Sequence, residues 1–187
     1  MGTLIIALVA YGIGMFPVYG WWMGKRIHGE AIMHTGPLQD MVLWAGLEMT
    51  KGALAVLIGW ATGGWFAASV AALMVVVGSL YPVVPAFRGG GGMAVAAGAL
   101  FVLSPMLVVA GILIYFVSLL LTRYLEISTS LATVAVMILS GVISAHMYVI
   151  IVAVCVGALI LYHQPKHRFG RHRARFRGWK NLFRFRR

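Results

Sequence analysis

Seven apolar runs, most of them close to the length of a bilayer crossing, fill the chain from Thr3 to Tyr162. They fall at about residues 3–23, 41–61, 66–86, 92–103, 105–121, 128–142 and 144–162. A membrane helix needs roughly 20 apolar residues, so 187 residues leave room for about six or seven crossings and little else. With 61% hydrophobic and 10% charged residues and a mean hydropathy of +0.94, the chain lacks the polar surface of a soluble globule. Lipid is the solvent this composition fits.

The runs at 92–103 and 105–121 cannot be one straight helix, because 30 residues would extend about 45 Å. Ser104-Pro105 is the expected break, since proline removes a helical donor and clashes with the preceding turn. The expected fold is therefore all-α, a polytopic membrane helical bundle of about seven transmembrane helices. Residues 1–163 form its transmembrane domain and residues 164–187 a basic, aromatic tail.

Threading the runs in order puts the ends of the first, third, fifth and seventh on one face. Lys25, Arg26, Arg88, Arg123 and ten Lys or Arg of the tail then share that face, which is fourteen of the fifteen basic residues. The opposite face carries Gly63-Gly64-Trp65, Ser104-Pro105 and an expected bend near Ser140-Gly141. Because Lys and Arg are retained on the cytoplasmic side, the C-terminus is expected in the cytoplasm and the N-terminus outside. The first run has no Lys or Arg before it and ends at Lys25-Arg26, the reverse of a secretory signal, so it is read as a retained span.

Lys51 is the one basic residue inside a run, three positions after Glu48. An ionisable group at a helix centre in lipid costs about 2.5 to 3.5 kcal/mol, so the i, i+3 spacing invites mutual neutralisation. Either the pair holds helices together, or Lys51 faces a polar cavity opening to the cytoplasm.

The stretch from Gly78 to Gly92 is the most informative. Its four glycines, Gly89, Gly90, Gly91 and Gly92, leave backbone N–H groups uncovered, and the helix expected from Met93 offers its positive end to an anion. Arg88 beside them can fork onto a phosphate. A phosphate site and a flexible turn are both compatible with the run. His28, Glu30, His34, Thr35, Gly36 and Asp40 in the first loop match no metal-ligand spacing, so no metal is expected. Cys155 reads as a small buried hydrophobe, and His146 as a helix-packing histidine. No nucleophile, base and orienter set supports a covalent mechanism.

The tail from His163 interleaves its ten cations with Phe169, Phe176, Trp179, Phe183 and Phe185 and has no Asp or Glu. Such alternation suits a segment lying on anionic headgroups, at about 1 kcal/mol per basic residue near the surface. Nucleic acid would meet the same charge and is the weaker expectation; simple topological anchoring is the other.

These residues resemble a family, the bacterial acyl-phosphate-dependent glycerol-3-phosphate acyltransferases, or PlsY family. Gly78, Pro82, Phe87, Gly89, Gly90, Gly92 and Ala94 match its glycine-rich second motif, with Arg88 for the first Lys, and Ser104-Pro105 follow at a comparable distance. Leu47-Glu48 and Lys51 to Val56 look like the family's second span, with Glu for its Asp, and Thr122-Arg123-Tyr124 like the start of its sixth. His167-Arg168 stand for the third motif. Ser79 occupies the place of the second motif's His and Gly91 that of its second Lys; the first motif is not recognisable.

The resemblance implies transfer of a fatty acyl group from acyl phosphate to glycerol 3-phosphate, giving lysophosphatidate for phospholipid synthesis in the bacterial inner membrane. It implies no cofactor. Lys51, Arg88, Gly89, Gly90, Gly91, Gly92, Arg123, His167 and Arg168 would contact the substrates, and the acyl chain would lie between spans. The alternatives are a catalytically inactive member that binds lipid or a partner, and a small transporter component supported only by Glu48 and Lys51 within a span.

Overall fold

The computed structural model describes residues 2–16, 18, 38–83, 92–122, 125–143 and 146–163. Among them the chain forms six helices and no strand: α1 (Gly2–Met15), α2 (Leu38–Leu80), α3 (Met93–Leu103), α4 (Pro105–Thr122), α5 (Leu125–Ile143) and α6 (Met147–His163). The all-α expectation holds.

The second and third apolar runs are the two arms of α2. They meet at Gly63 (φ −151°, ψ 20°) and Gly64 (φ 66°, ψ −155°), and the positive φ of Gly64 is a conformation that a side chain would oppose. The arms, 38–62 and 65–80, fold back on each other. A methyl group at Gly59 would lie 2.9 Å from both the Ala67 carbonyl oxygen and Ala71 Cβ. The next break falls at Ser104, extended at φ −156° and ψ 93°, as a following proline requires. Pro105 then opens α4, where its missing N–H costs nothing.

The break expected near Ser140-Gly141 falls a few residues later, since α5 runs unbroken to Ile143 and α6 starts at Met147. Ser140 Oγ donates to the Met137 carbonyl at 2.7 Å, so the buried hydroxyl is satisfied inside the helix and requires no break. Thr50, Thr62, Ser69 and Thr133 likewise donate to carbonyls four residues back.

The bundle reverses the size pattern of a soluble core. Ala55, Ala67, Ala71, Ala72, Ala96 and Ala99 fill its interior, whereas Leu8, Leu120, Leu121 and Val142 stand on its surface, the last 81% exposed. Continuous apolar surface of this kind is incompatible with water, and small residues at helix contacts are how membrane helices gain packing energy. Two backbone crossings show the principle. A Cβ on Gly98 would overlap the Met49 carbonyl and one on Gly52 the Val95 carbonyl, while Gly14 and Gly78 play the same parts for Val75 and Tyr11.

Cys155 is exposed rather than buried. It shares the outer face of α6 with Ile151, Val154 and Tyr162. Such a face meets lipid, so an apolar side chain there needs no protein cover.

Candidate functional site

Contacts from three helices and the chain just past them converge at one end of the bundle. Tyr11 on α1 donates its hydroxyl to the Tyr81 carbonyl at 2.7 Å, just beyond the second arm of α2. Lys51 on the first arm donates to the Phe16 carbonyl at 3.2 Å, just beyond α1. Gly92, which starts α3, is pressed against Leu80 so closely that a Cβ would lie 2.5 Å from Leu80 Cδ2. The three points tie the end of α1 and the end of α2 to the start of α3.

Gly92 is the N-cap of α3, at φ 63° and ψ −20°, with no side-chain cap. The first helical bond runs from the Ala96 N–H to the Gly92 carbonyl at 2.9 Å, so the N–H groups of residues 93–95 have no partner within the helix. The first turn holds no acidic residue. An uncapped helix start of this kind presents partial positive charge and fixed donors to an anion. Gly92 is doubly constrained, by its left-handed backbone and by Leu80.

Lys51 lies below this end of the bundle. Its Nζ is 2.7 Å from Glu48 Oε2, and the side chains are 5% and 2% exposed. Glu48 Oε2 accepts no other hydrogen bond among the described residues. Of the two readings of this lysine, the geometry matches the helix-joining one, because the ammonium is enclosed by Glu48 and the Phe16 carbonyl rather than facing an open polar space. At the penultimate position of α2, Ser79 is buried with its Oγ unpartnered among the described residues.

Of the expected substrate contacts, Lys51 and Gly92 are therefore described. Arg88, Gly89, Gly90, Gly91, Arg123, His167 and Arg168 lie outside the described residues, as do His28, Glu30, His34, Thr35 and Gly36 of the first loop and the tail 164–187. The structure does define what flanks several of them. The second arm of α2 ends at Leu80 and α3 begins at Met93, which brackets Arg88 to Gly91. Thr122, next to Arg123, donates to the Ser118 carbonyl at 2.7 Å and lies 2.9 Å from Ser128 Oγ. Those serines are buried between α4 and α5 and were not singled out from the sequence. Their recurrence near the turn, Ser118, Thr122 and Ser128, was the available signal. His146 packs its ring on Trp65 at 4.8 Å, at the opposite end of the bundle.

Comparison with known proteins bears directly on this arrangement. A family model described as glycerol-3-phosphate acyltransferase matches residues 38–173. Glycerol-3-phosphate acyltransferase 2 of Moorella thermoacetica is 32% identical over 142 residues, covering 69% of this chain and 73% of that protein. A glycerol-3-phosphate acyltransferase of Listeria monocytogenes is 26% identical over 198 residues, covering 93% and 91%. The fold is similar to crystal structures of PlsY (YgiH), an integral membrane glycerol 3-phosphate acyltransferase. The TM-score is 0.75 against its glycerol 3-phosphate form and 0.76 against its lysophosphatidic acid form. Both are 24% identical to this chain and cover 87% of it and 88% of the solved chain.

Proposed function

The chain belongs to the glycerol-3-phosphate acyltransferase family, and on that footing we propose that it moves a fatty acyl group from acyl phosphate to the 1-hydroxyl of glycerol 3-phosphate. The observation that carries the reading is the family match over residues 38–173, which spans α2 to α6 and includes the uncapped start of α3.

The donor is a mixed anhydride and is already activated. The C1 oxygen of glycerol 3-phosphate forms the new ester bond to the acyl carbonyl carbon. The bond from that carbon to the phosphate oxygen breaks, and inorganic phosphate leaves with the hydroxyl proton. The protein must chiefly hold two anions close together and offset their charge. The N–H groups at the start of α3 that have no partner within the helix, Gly89 to Gly92 and the Arg88 fork suit one phosphate. Arg123 and His167-Arg168 are assigned to the other. Lys51, in its buried pair, supports the site from beneath by fixing the chain at Phe16.

The same reading makes the protein a seven-pass component of the bacterial inner membrane, with the N-terminus outside and the C-terminus cytoplasmic. The bent α2 supplies two of the crossings, and fourteen of fifteen basic residues fall on one side of such a threading. The tail 164–187 would lie on anionic headgroups. A non-catalytic, lipid-binding member is favoured only by Ser79 and Gly91, which stand where the family motif carries His and Lys.

Phosphate release by the purified protein in lipid nanodiscs tests the reading. Release that requires both acyl phosphate and glycerol 3-phosphate supports it. Well-folded protein that releases none with both substrates present overturns it in favour of the non-catalytic member.

A further inference from the structure

A cavity of about 170 Å³ lies among α3, α4, α5 and α6. Each helix lines it over eight positions, 93–100, 108–115, 129–136 and 153–160, a depth of about 10 Å at the helical rise. The lining is apolar except for Tyr115, Thr129 and Thr133, and Thr133 donates its hydroxyl to the Thr129 carbonyl. The cavity is open on one side, and so apolar a lining favours hydrocarbon over water.

One end of the cavity is at Met93, the residue after Gly92. The start of α3 therefore adjoins both the donor-rich end of the bundle and an apolar shaft along its flank. A molecule with an anionic head and an alkyl tail matches that sequence of surfaces. At the other end, Val136 closes on Gly111: a methyl group at Gly111 would come within 2.7 Å of Val136 Cγ2. The β-branched valine has little rotamer freedom on a helix, so this wall does not swing aside.

We infer that the Gly111–Val136 contact is the stop that limits how far the acyl tail enters, and so sets the acyl-chain length the protein selects. The inference rests on the acyl-transfer reading for the identity of the tail. Pockets discriminate one methylene by about tenfold or more, so a displaced stop has a measurable consequence.

The test uses full-length protein in nanodiscs and a series of acyl phosphates differing by two methylenes. Val136→Ala lowers the stop and is expected to move the kcat/KM optimum to longer chains, changing the ratio between neighbouring chain lengths at least tenfold. Ala153→Leu, which fills the same end of the cavity from α6, is expected to move it to shorter ones. Should either variant lose its fold, the other carries the comparison. Thermal stabilisation by non-reactive alkyl phosphates of the same lengths gives a second readout without turnover. A wild-type protein without turnover, but with stabilisation that peaks at one length and shifts in the variants, upholds the stop while defeating the acyl-transfer reading. Length profiles identical in wild type and folded variants overturn the inference.

Discussion

Lys51 Nζ and Glu48 Oε2 are 2.7 Å apart on the first arm of α2, and both side chains are almost wholly enclosed. The lysine also donates to the Phe16 carbonyl, 35 residues earlier in the chain, and so links α2 to the end of α1. Removing one partner of a buried pair leaves the other charge without compensation, which costs about 3 to 5 kcal/mol, whereas replacing both by apolar groups is often neutral. Lys51→Met is therefore expected to lower the unfolding temperature in detergent markedly, and Glu48→Leu with Lys51→Met to recover most of the loss. Equal damage in the single and double variants would show that the pair is not the unit that matters.

The crossing of Gly52 and Gly98 tolerates no side chain, because the atoms in the way are main-chain carbonyls that cannot rotate aside. Gly98→Val is expected to destabilise by at least the ~1 to 3 kcal/mol typical of overpacking, read as lost folded yield and a lower melting temperature. Gly46→Ala is the matched control. A methyl group there meets nothing within 4 Å, and alanine favours a helix over glycine by about 1 kcal/mol.

Gly92→Ala separates fold from site. The left-handed backbone at φ 63° resists a side chain, at about 1 to 2 kcal/mol, but the crowding atoms belong to the flexible end of Leu80, which can move. The variant is expected to stay folded and to lose about tenfold in kcat/KM, equivalent to ~1.4 kcal/mol of lost anion positioning. Unchanged kinetics would remove the start of α3 from the substrate site.

Arg88 is assigned a planar, two-pronged contact with phosphate. Arg88→Ala is expected to raise the KM of one substrate at least tenfold, about 1.4 kcal/mol. Arg88→Lys should restore part of that, because a point charge replaces the fork. Steady-state titration of each substrate in turn identifies which phosphate it holds. Equal KM values in all three proteins would exclude the contact.

What the sequence revealed follows from the kinds of residue involved. Ser104-Pro105 and Gly63-Gly64 are visible because proline and glycine act on their own backbone, and the breaks occur there. Near Ser140-Gly141 the break comes a few residues later, after Ile143, because these residue types are harmless when the hydroxyl can bond the preceding turn, as Ser140 does with Met137. The outward placement of Cys155 was hidden for a different reason. Protein interior and lipid are both apolar, so α6 offers no polar stripe to mark its outer face, and only small residues such as Ala153 and Gly157 betray the inner one. The Glu48–Lys51 pairing was legible from its spacing. Its third member was not, because a main-chain carbonyl such as Phe16's carries no sequence signature. The cavity beside α3 depends on four helices meeting and has no local motif.

The most direct test of the central claim is conversion of isotopically labelled glycerol 3-phosphate by purified protein in nanodiscs, with acyl phosphate as the sole acyl donor. The account predicts labelled lysophosphatidate in equimolar amount with released phosphate, and no formation when acyl phosphate is omitted. Folded protein that yields no labelled lysophosphatidate, or yields it only from a thioester donor, would contradict it.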